Sequence, residues 1–260
     1  MIIRNSRFMK QVELWFDEAE PTEKFDVIIR RQHPTRVRGG VNEPFVTMLI
    51  DLELPSEEIF SNVHRNTRSK INKAIKEDEL SFDVVLKPTA AQLGEFVEFY
   101  NAFAESKSLE KIWEPHLAAI LDAGMLAFSR VSQGGQHLVW HALILQGQRV
   151  GVIHSASHFR DASPDTRNVV GRANRYLHWQ EMLSFKASGF KTYDLCGWYA
   201  GTTDESLLMV NRFKEEFGGI KTHEFNSIED RSARAKLIAW FKKTFAKTGH
   251  QHLQTRDVGA

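Results

Sequence analysis

Hydrophobic and polar residues alternate along several short segments of the chain, and the first clear case lies at residues 45–54. Apolar side chains occupy every second position there, which is the period of a strand that buries one face in a core. Pro55 ends the run. A helical repeat with five cations and no acid follows at about residues 64–76, and a second strand is predicted at residues 82–86.

The middle of the chain predicts two helices and then three strands. Pro88 and Thr89 open a helical region that continues to about residue 123, with a break near residues 107–112. Three strand-like runs follow, at residues 125–131, 137–146 and 149–158. The linkers between them, QGGQ and QGQR, are short glycine turns, so an antiparallel meander is expected.

The last part of the chain predicts helices that alternate with strands. The elements are a helix at 172–188, a strand at 191–196, a helix at 204–217 and a strand at 222–225. From residue 82 onward, this order resembles the layout of the GNAT acyltransferase fold. An α+β fold with a mixed sheet is therefore expected. We predict a GNAT-like acyltransferase domain at residues 82–260, preceded by a shortened GNAT-like half with basic helices at residues 1–81.

The amino-acid composition and the net charge exclude several functional classes of protein. The 260 residues are 42% hydrophobic and 26% charged, as in ordinary globular proteins. The net charge of +1 argues against a dedicated nucleic-acid binder, although local basic patches remain. A single cysteine, Cys196, excludes an internal disulfide framework and a cysteine-built zinc site. The opening residues lack the apolar core of a signal peptide and no apolar run approaches the roughly 20 residues that span a bilayer, so a cytoplasmic protein without membrane insertion is expected.

Two regions of the sequence resemble FemAB/FemX-like transferases of the GNAT superfamily, the peptidoglycan-bridge type of aminoacyltransferase. The first is FVTMLIDLELPSEEIFSNVHRNTRSKINKAIKEDELSFDVV, in which a strand precedes a basic helix. The second comprises LHWQEMLSFKASGFKTYDLCGW and NRFKEEFGG, which resemble the family's "G-x-x-x-Y-D" strand and "F-K-x-x-F-G-G" helix end. The resemblance spans about residues 45–220.

The resemblance implies two GNAT-like halves and the transfer of an acyl group to an amine. In the bridge-forming members the donor is aminoacyl-tRNA and the acceptor is a cell-wall precursor, while some related sequences are associated with acyl-CoA. Either donor would be a co-substrate, and no permanently bound cofactor is expected. This chain is shorter than the bridge-forming enzymes and has no long helical hairpin for tRNA.

The segment NVVGRAN, at residues 168–174, stands where the GNAT fold offers free helix amides to a donor phosphate. Gly171 would allow close backbone approach, and Arg172 and Arg175 would add positive charge. The expected donor-binding residues are Asn168, Val170, Gly171, Arg172, Ala173 and Arg175. The alternative is an ordinary strand-to-helix turn with a capping Asn168 and solvated arginines.

Lys214 is the main candidate for catalysis. On a helix at 204–217 it shares a face with Asn211, beside an expected packing stripe of Leu207, Val210, Phe213 and Phe217. In the family that the sequence resembles, this "F-K" lysine lies near the reacting end of the donor or its phosphates, with Phe213 fixing its direction. The alternative is that Lys214 and Arg212 pair with glutamates on a solvated face.

Proton transfer has three candidates. His154 and His158 point to one side of a strand, and a histidine has a suitable pKa for accepting an amine proton. Tyr199 is a candidate acid for a departing thiolate or ribose hydroxyl, or else a ring that packs over Trp198. Asp194 either accepts structural hydrogen bonds at the strand end or orients the acceptor amine.

The remaining polar groups predict binding rather than metal chemistry. The histidines lack the H-E-x-x-H spacing, so no metal site is expected. Cys196 lies in a strand context that favours packing over nucleophilic catalysis. The residues expected to contact substrate are Arg65 and Arg68 of the basic helix, Arg212, Phe213 and Trp198, although a run of charges is usually a solvated face.

We therefore predict an acyltransferase that moves an aminoacyl group from aminoacyl-tRNA onto a primary amine. The acceptor is expected to be a small-molecule, nucleotide-linked or cell-envelope precursor amine. The basic helix favours an RNA donor, whereas the short chain and near-neutral charge favour an acyl-CoA-dependent GNAT N-acyltransferase. A degenerate GNAT-like module that binds RNA or a protein without catalysis is the second alternative, and the sequence leaves the oligomeric state open.

Overall fold

The computed structural model describes residues 1–5, 9–157 and 163–246, with side chains described as far as residue 241. The elements of the first half are β1 (Ile2–Asn5), β2 (Lys10–Trp15), β3 (Val27–His33), β4 (Val41–Asp51), α1 (Ser56–Asn62), α2 (Arg65–Glu77), β5 (Ser81–Val85), α3 (Ala90–Lys107) and α4 (Glu114–Asp122). The elements of the second half are β6 (Leu126–Gln133), β7 (Gln136–Gln146), β8 (Arg149–Ser157), α5 (Pro164–Ala187), β9 (Thr192–Asp194), α6 (Glu205–Glu215), β10 (Ile220–Asp230) and α7 (Ala233–Ala246).

The chain divides into two compact units. The first contains Met1–Val46 and the described part of His223–Val258, and the second contains Thr47–Thr222. Residues on both sides of the predicted boundary after residue 81 lie in the second unit. The division into a shortened N-terminal half and a complete domain stays a prediction.

In the first unit, four strands pair around a small apolar core. β1 is antiparallel to β2, β2 is parallel to β3, and β3 is antiparallel to β10. The buried core residues are Val12, Leu14, Phe25 and Ile28. Strands β1 to β3 had no counterpart among the predicted elements. β3 pairs with β10 near the other end of the described chain, a contact that no local sequence pattern signals.

In the second unit, the strand order is β4-β9-β8-β7-β6-β5. β6 to β8 form the predicted antiparallel meander, and β5 is antiparallel to β6. β9 is parallel to β8 and antiparallel to β4. Gly134 (φ 56°) and Gly135 (φ 83°) make the tight turn between β6 and β7, a backbone conformation that glycine adopts without strain. The meander, the following helix and the parallel strand confirm the predicted mixed-sheet, GNAT-like layout.

Helices α5 and α3 cover opposite faces of this sheet. α5 buries residues at helical spacing, namely Val170, Ala173, Leu177, Met182 and Phe185. On the other face, Phe96 of α3 stacks on Phe128 at 4.8 Å between ring centroids and meets Trp140 edge-on at 5.7 Å. Since side chains alternate along a strand, Trp140 points to α3 and its neighbour His141 points to α5. No helix of the described residues combines the length and apolar character that a bilayer crossing needs.

The parallel pair β8–β9 is short and then opens. Its register runs from Arg149 opposite Thr192 to Gly151 opposite Asp194. β9 ends there, while β8 continues to Ser157. A bulge shifts the register of β8 against β7 just beyond this point. The two strands therefore diverge at Asp194, where the chain leaves β9.

The predicted loop at residues 168–174 is wrong, because these residues form turns of α5. The helix begins at Pro164, and the side chain of Ser163 caps it by accepting from the backbone N–H of Thr166 at 3.2 Å. Asn168 and Gly171 are loop-favouring residues, but the cap upstream and the buried stripe downstream outweigh their preference. The backbone amides of this segment are therefore inside a helix and are not free to bind a phosphate.

Candidate functional site

Asp194 shapes the turn that follows β9. Its carboxylate is fully buried and accepts from the Thr47 hydroxyl, from the backbone N–H of Cys196 at 2.7 Å and from the Arg149 guanidinium at 2.7 and 3.2 Å. Cys196 has a φ of 51°, in the left-handed region that a side chain seldom adopts. Both carboxylate oxygens are occupied, so Asp194 has the structural position that was one of its two predicted roles.

Two polar residues of α6 hold the same turn from the other side. The Lys214 ammonium donates to the backbone carbonyls of Gly197 and, at 2.9 Å, Cys196. The Asn211 amide donates to the Tyr199 carbonyl at 2.8 Å and accepts from the Tyr199 N–H at 3.0 Å. Lys214 is only 8% exposed, so the alternative of a solvated lysine paired with glutamates is wrong. The shared face of Asn211 and Lys214 is confirmed.

The apolar side of α6 is less buried than the predicted stripe. Phe217 is buried, but Leu207, Val210 and Phe213 are half-buried, and within the helix the buried residues are Asn211 and Lys214. The helix therefore directs its polar residues inward toward the turn after β9. Arg212, one position away from this face, is exposed.

The buried environment of Lys214 disfavours the charged form of its side chain. Burial lowers the pKa of the Lys214 ammonium, and nearby Cys196 and Asp194 oppose that effect. A lysine ammonium carries three N–H groups. Two of them have acceptors among the described residues, the carbonyls of Cys196 and Gly197.

Tyr199 and Trp198 line the turn without packing on each other in the described contacts. The Tyr199 hydroxyl lies 3.3 Å from the Thr203 hydroxyl, and its ring covers Gly201, where a Cβ atom would lie 2.3 Å from the ring. Trp198 packs on the main core, with the Lys221 ammonium 4.8 Å above its ring. Tyr199 therefore stays a candidate acid next to the turn that Lys214 fixes.

His154 lies on the opposite face of the sheet from α6. Its ring meets Tyr100 of α3 edge-on at 5.1 Å, and its Nδ1 atom has no hydrogen-bond partner among the described residues. Burial, with a contribution from His116, lowers the pKa of His154 to about 4. No contact in the described part of the chain joins His154 to Lys214 or Tyr199. His158 lies outside the described residues.

The predicted donor-binding residues do not form a phosphate cradle. Arg172 makes two hydrogen bonds of 2.6 Å with Asp78, and Arg175 pairs with Glu216 at 2.7 Å. Val170 and Ala173 are core residues, Asn168 is exposed, and a Cβ atom on Gly171 would meet nothing within 4 Å. Both arginines therefore join α5 to neighbouring helices. Arg175 also lies 4.9 Å above the Phe213 ring of α6.

The two arginines of the basic helix differ. Arg68 donates to the carbonyls of Ser61 and, at 2.8 Å, Val63, so it joins α2 to the end of α1. Arg65 is exposed. Further exposed cations of α2 are Lys70, Lys73 and Lys76. Arg68 therefore has a structural contact, whereas Arg65 lies on a basic surface.

A buried hydrogen-bonded network adjoins the site and was not predicted. Glu181 of α5 accepts from the hydroxyls of Ser129 and Tyr193 and faces His141 Nδ1 at 2.9 Å. The ring of His178 lies 5.5 Å from the ring of Phe213, the residue that precedes Lys214 in α6. Burial, aided by the charges of His141, Lys214 and Arg175, lowers the pKa of His178 well below its ordinary value. The only sequence signal was the helical spacing of His178 and Glu181.

The same residues have the donor types of a metal site. Ligand atoms of His141, His178 and Glu181 lie within 4.8 Å of one another, and two imidazoles with one carboxylate suit Zn²⁺ or Fe²⁺. His141 Nε2 has no hydrogen-bond partner among the described residues. The Glu181 oxygens, however, already accept from Ser129, His141 and Tyr193, so an ion would have to displace these donors. The arrangement fits a hydrogen-bonded network better than a metal centre.

Comparisons with known proteins address the fold. No protein-family model matches the sequence, and no curated protein is similar to it in sequence. The structure of FemX matches with a TM-score of 0.57 and 14% identity, over 70% of this chain and 61% of FemX. The C-terminal domain of a putative lysylphosphatidylglycerol synthetase from Agrobacterium fabrum matches with a TM-score of 0.56 and 12% identity, over 91% of this chain and 82% of that domain.

At such identities the likeness establishes the fold alone, and the chain spans about three fifths of the FemX structure. The match agrees with the meander and the short parallel pair of β8 and β9 that the structure contains. The protein therefore has a GNAT-like fold of the FemX type, as the sequence resemblance predicted.

Proposed function

We propose that this protein is an acyltransferase that moves an aminoacyl group from aminoacyl-tRNA onto a primary amine of a small-molecule or cell-envelope precursor. One observation carries the proposal. The buried ammonium of Lys214 binds the backbone carbonyls of the turn after β9, where the pairing of β8 and β9 ends. In the family that the sequence resembles, the corresponding lysine lies near the reacting end of the donor.

The chemistry needs an amine, an ester carbonyl and a stabilised oxyanion. The acceptor nitrogen attacks the carbonyl carbon, the amide C–N bond forms, and the ester C–O bond to the ribose breaks. The nitrogen loses one proton, and the departing ribose oxygen gains one. Lys214 would donate to the carbonyl oxygen as negative charge develops there, an interaction that a buried site strengthens. Tyr199, beside the same turn, would supply the proton to the ribose oxygen.

Two features support aminoacyl-tRNA over acyl-CoA as the donor. The exposed side of α2 carries Arg65, Lys70, Lys73 and Lys76, and the only acid of the helix, Glu77, pairs with Lys73 at 3.5 Å. Such a surface suits a polyanion with many phosphates. The second structural neighbour is named as a synthetase of lysylphosphatidylglycerol, which is itself an aminoacylated product.

A paired donor assay tests the proposal. The protein is incubated with a panel of amines and either labelled aminoacyl-tRNAs or labelled acetyl-CoA, with and without ribonuclease. We expect product from aminoacyl-tRNA that ribonuclease abolishes. Lys214→Met keeps most of the length of the side chain without its charge, and it should lower turnover by about a hundredfold or more. Lys87→Ala, which changes an exposed lysine, serves as the matched control.

Each of the other assay outcomes would support one of the two alternative functions. Ribonuclease-resistant transfer from acetyl-CoA would make the protein an acyl-CoA-dependent N-acyltransferase. Silence with both donors, together with RNA binding that Lys214→Met leaves unchanged, would make it a binding module. Circular dichroism of Lys214→Met separates loss of chemistry from loss of fold, because Lys214 also holds the turn.

A further inference from the structure

Helix α2 begins beside the end of α6, the helix that carries Lys214. The backbone N–H of His64 donates to the Glu216 carbonyl at 2.7 Å, and the Thr67 hydroxyl donates to the Glu216 carboxylate at 2.6 Å. Glu216 follows Lys214 by two residues. The 13 residues of α2 rise by about 1.5 Å each, so its far end lies about 20 Å from this junction. A ligand that lies along α2 can therefore reach the helix end that bears Lys214.

Both ends of α2 are held by arginines of α5. Arg175 pairs with Glu216 at 2.7 Å, beside the first turn of α2. Arg172 makes two hydrogen bonds of 2.6 Å with Asp78, the C-cap of α2. The buried residues of the helix are Thr67, Ile71 and Ala74. The opposite side of α2 is therefore presented to solvent in a fixed orientation.

A row of four polar side chains runs along the solvent side of α2. They are separated by four, three and four residues, the spacing of one helix face, and all of them are exposed. The residues are Arg65, Ser69, Asn72 and Lys76. Each carries hydrogen-bond donors, and these residue types contact phosphate oxygens in nucleic-acid complexes. We call these four residues the α2 polar row.

The charge of α2 is strongly positive, although the chain as a whole is nearly neutral. Its 13 residues contain five cations and one acid, whereas the net charge of the 260 residues is +1. The acid, Glu77, lies 3.5 Å from Lys73 at the end of the helix. Within the part of the chain that the structure describes, Arg65 and Lys76 have no ion-pair partner. Both cations of the α2 polar row are therefore available to a chain of phosphates.

Two other anionic partners fit the α2 polar row less well. A helix that lies on an anionic bilayer inserts an apolar face, whereas α2 buries Ile71 and Ala74 in the protein. Ile75, to one side of the row, is 55% exposed, and single exposed apolar residues are normal. An acidic protein surface would pair best with cations, but Ser69 and Asn72 of the row are neutral.

We propose that the α2 polar row binds the phosphate backbone of the RNA that carries the acyl group, and that it fixes the direction of this RNA. The last nucleotides, which bear the ester, lie beside Arg65 at the junction with α6. The body of the RNA continues along the helix to Lys76. Both cations are positioning residues, because they hold the RNA and touch no reacting atom. The role of the RNA as acyl donor rests on the proposed function, whereas its binding and direction can be measured without transfer.

Binding of unacylated tRNA to the full chain, measured by fluorescence anisotropy, tests the surface. We expect Arg65→Glu and Lys76→Glu each to weaken binding by about tenfold, because repulsion replaces a phosphate contact. Lys76→Ala should reduce the slope of log K against log salt by about one. Glu77→Gln should tighten binding, since it removes the acid of the helix. Lys87→Glu, at an exposed lysine outside α2, is the matched control and should bind as the wild type does.

A truncated tRNA tests the direction. Removing its last three nucleotides deletes the part that should lie beside Arg65. With this tRNA, Arg65→Glu should bind within about twofold of the wild type, whereas Lys76→Glu should still lose about tenfold. With complete aminoacyl-tRNA, both variants should raise KM by about tenfold and leave kcat within about twofold, because they change binding and not chemistry.

Unchanged tRNA binding in both variants would overturn the proposal. So would a truncated tRNA that abolishes the effect of Lys76→Glu and keeps the effect of Arg65→Glu. Binding to anionic lipid vesicles that Lys76→Glu weakens, without any binding of tRNA, would assign the α2 polar row to a membrane surface instead. The expected tRNA binding without any acyl transfer would contradict the proposed function and support this surface, so the two proposals fail separately.

Discussion

The Nδ1 atom of His178 lies 2.6 Å from the hydroxyl oxygen of Tyr193, inside the core of the second unit. That hydroxyl donates its single proton to Glu181, so His178 must be the donor in its own contact with Tyr193. The bond therefore fixes the tautomer of a buried histidine and ties α5 to β9, one residue before Asp194. The turn that Lys214 holds thus rests on a polar network as well as on apolar packing.

Removing the Tyr193 hydroxyl should destabilise the fold. In Tyr193→Phe the ring stays, but Glu181 loses a donor and His178 loses an acceptor, both in a buried environment. A buried polar group without its partner costs about 1 to 3 kcal/mol, so we expect a loss of about 2 kcal/mol or more in urea unfolding. Tyr176→Phe, at a half-buried tyrosine without a described hydroxyl bond, should cost less than about 0.5 kcal/mol. Equal losses for the two variants would contradict the role of the network.

Replacing the buried Asp194 should lower the free energy of unfolding more than replacing Asp83, which is in an exposed ion pair. Asp194→Asn removes a buried carboxylate from its ion pair with the half-buried Arg149 guanidinium, and breaking such a pair costs about 3 to 5 kcal/mol. Asp83→Asn also removes an aspartate from an arginine, Arg130 at 3.0 Å, but at the surface, where such pairs contribute about 0 to 1 kcal/mol. Chemical denaturation of both variants measures the difference. If Asp194→Asn unfolds at the same urea concentration as Asp83→Asn, the turn after β9 does not depend on this carboxylate.

Stability should fall as the pH drops from about 6.5 to 4. Unfolded, His154 titrates near its ordinary pKa of about 6.5, whereas burial holds its folded pKa at about 4. Between these values the unfolded chain binds a proton that the folded protein does not. One such histidine therefore costs up to about 1.4 kcal/mol of unfolding free energy per pH unit, and His178 acts in the same direction.

The measurement is urea unfolding at pH 7, 6 and 5 for the wild type and His154→Leu. The variant should show a shallower loss of stability on acidification, while His223→Leu, at an exposed histidine, should keep the wild-type slope. A wild-type slope in His154→Leu would show that His154 titrates normally in the folded protein. His154 would then regain its standing as a candidate base.

Local patterns predicted the scaffold well, because they act over a few residues. Gly134 and Gly135 fix a turn by their own backbone preference, and the strands beside them alternate with period two. The hydrogen-bonded network around Glu181 could not be predicted from local sequence patterns. Its members come from β6, β7, α5 and β9, and only the packed sheet brings them together.

For Lys214, the sequence predicted the helix face on which it lies but not its hydrogen-bond partners. The helical spacing placed it on one face with Asn211, and the structure confirms that placement. Its partners are backbone carbonyls of Cys196 and Gly197, which leave no trace in the pattern of side chains. The start of α5 was missed for a different reason, since Asn168 and Gly171 carry a strong local signal for a loop.

Gly171 offers a direct test of that correction. In a helix, alanine is favoured over glycine by about 0.5 to 1 kcal/mol, and a Cβ atom at Gly171 would meet nothing within 4 Å. Gly171→Ala should therefore raise the unfolding free energy by about that amount and leave donor binding unchanged. Gly218→Ala makes a contrasting variant, because Gly218 has a φ of 75° and its Cβ atom would lie 2.3 Å from the Asn62 carbonyl oxygen. It should lower stability by more than Gly171→Ala raises it. A folded Gly171→Ala protein with weakened donor binding would restore residues 168–174 as a phosphate-binding segment, with the ligand approaching the helix backbone where alanine now stands.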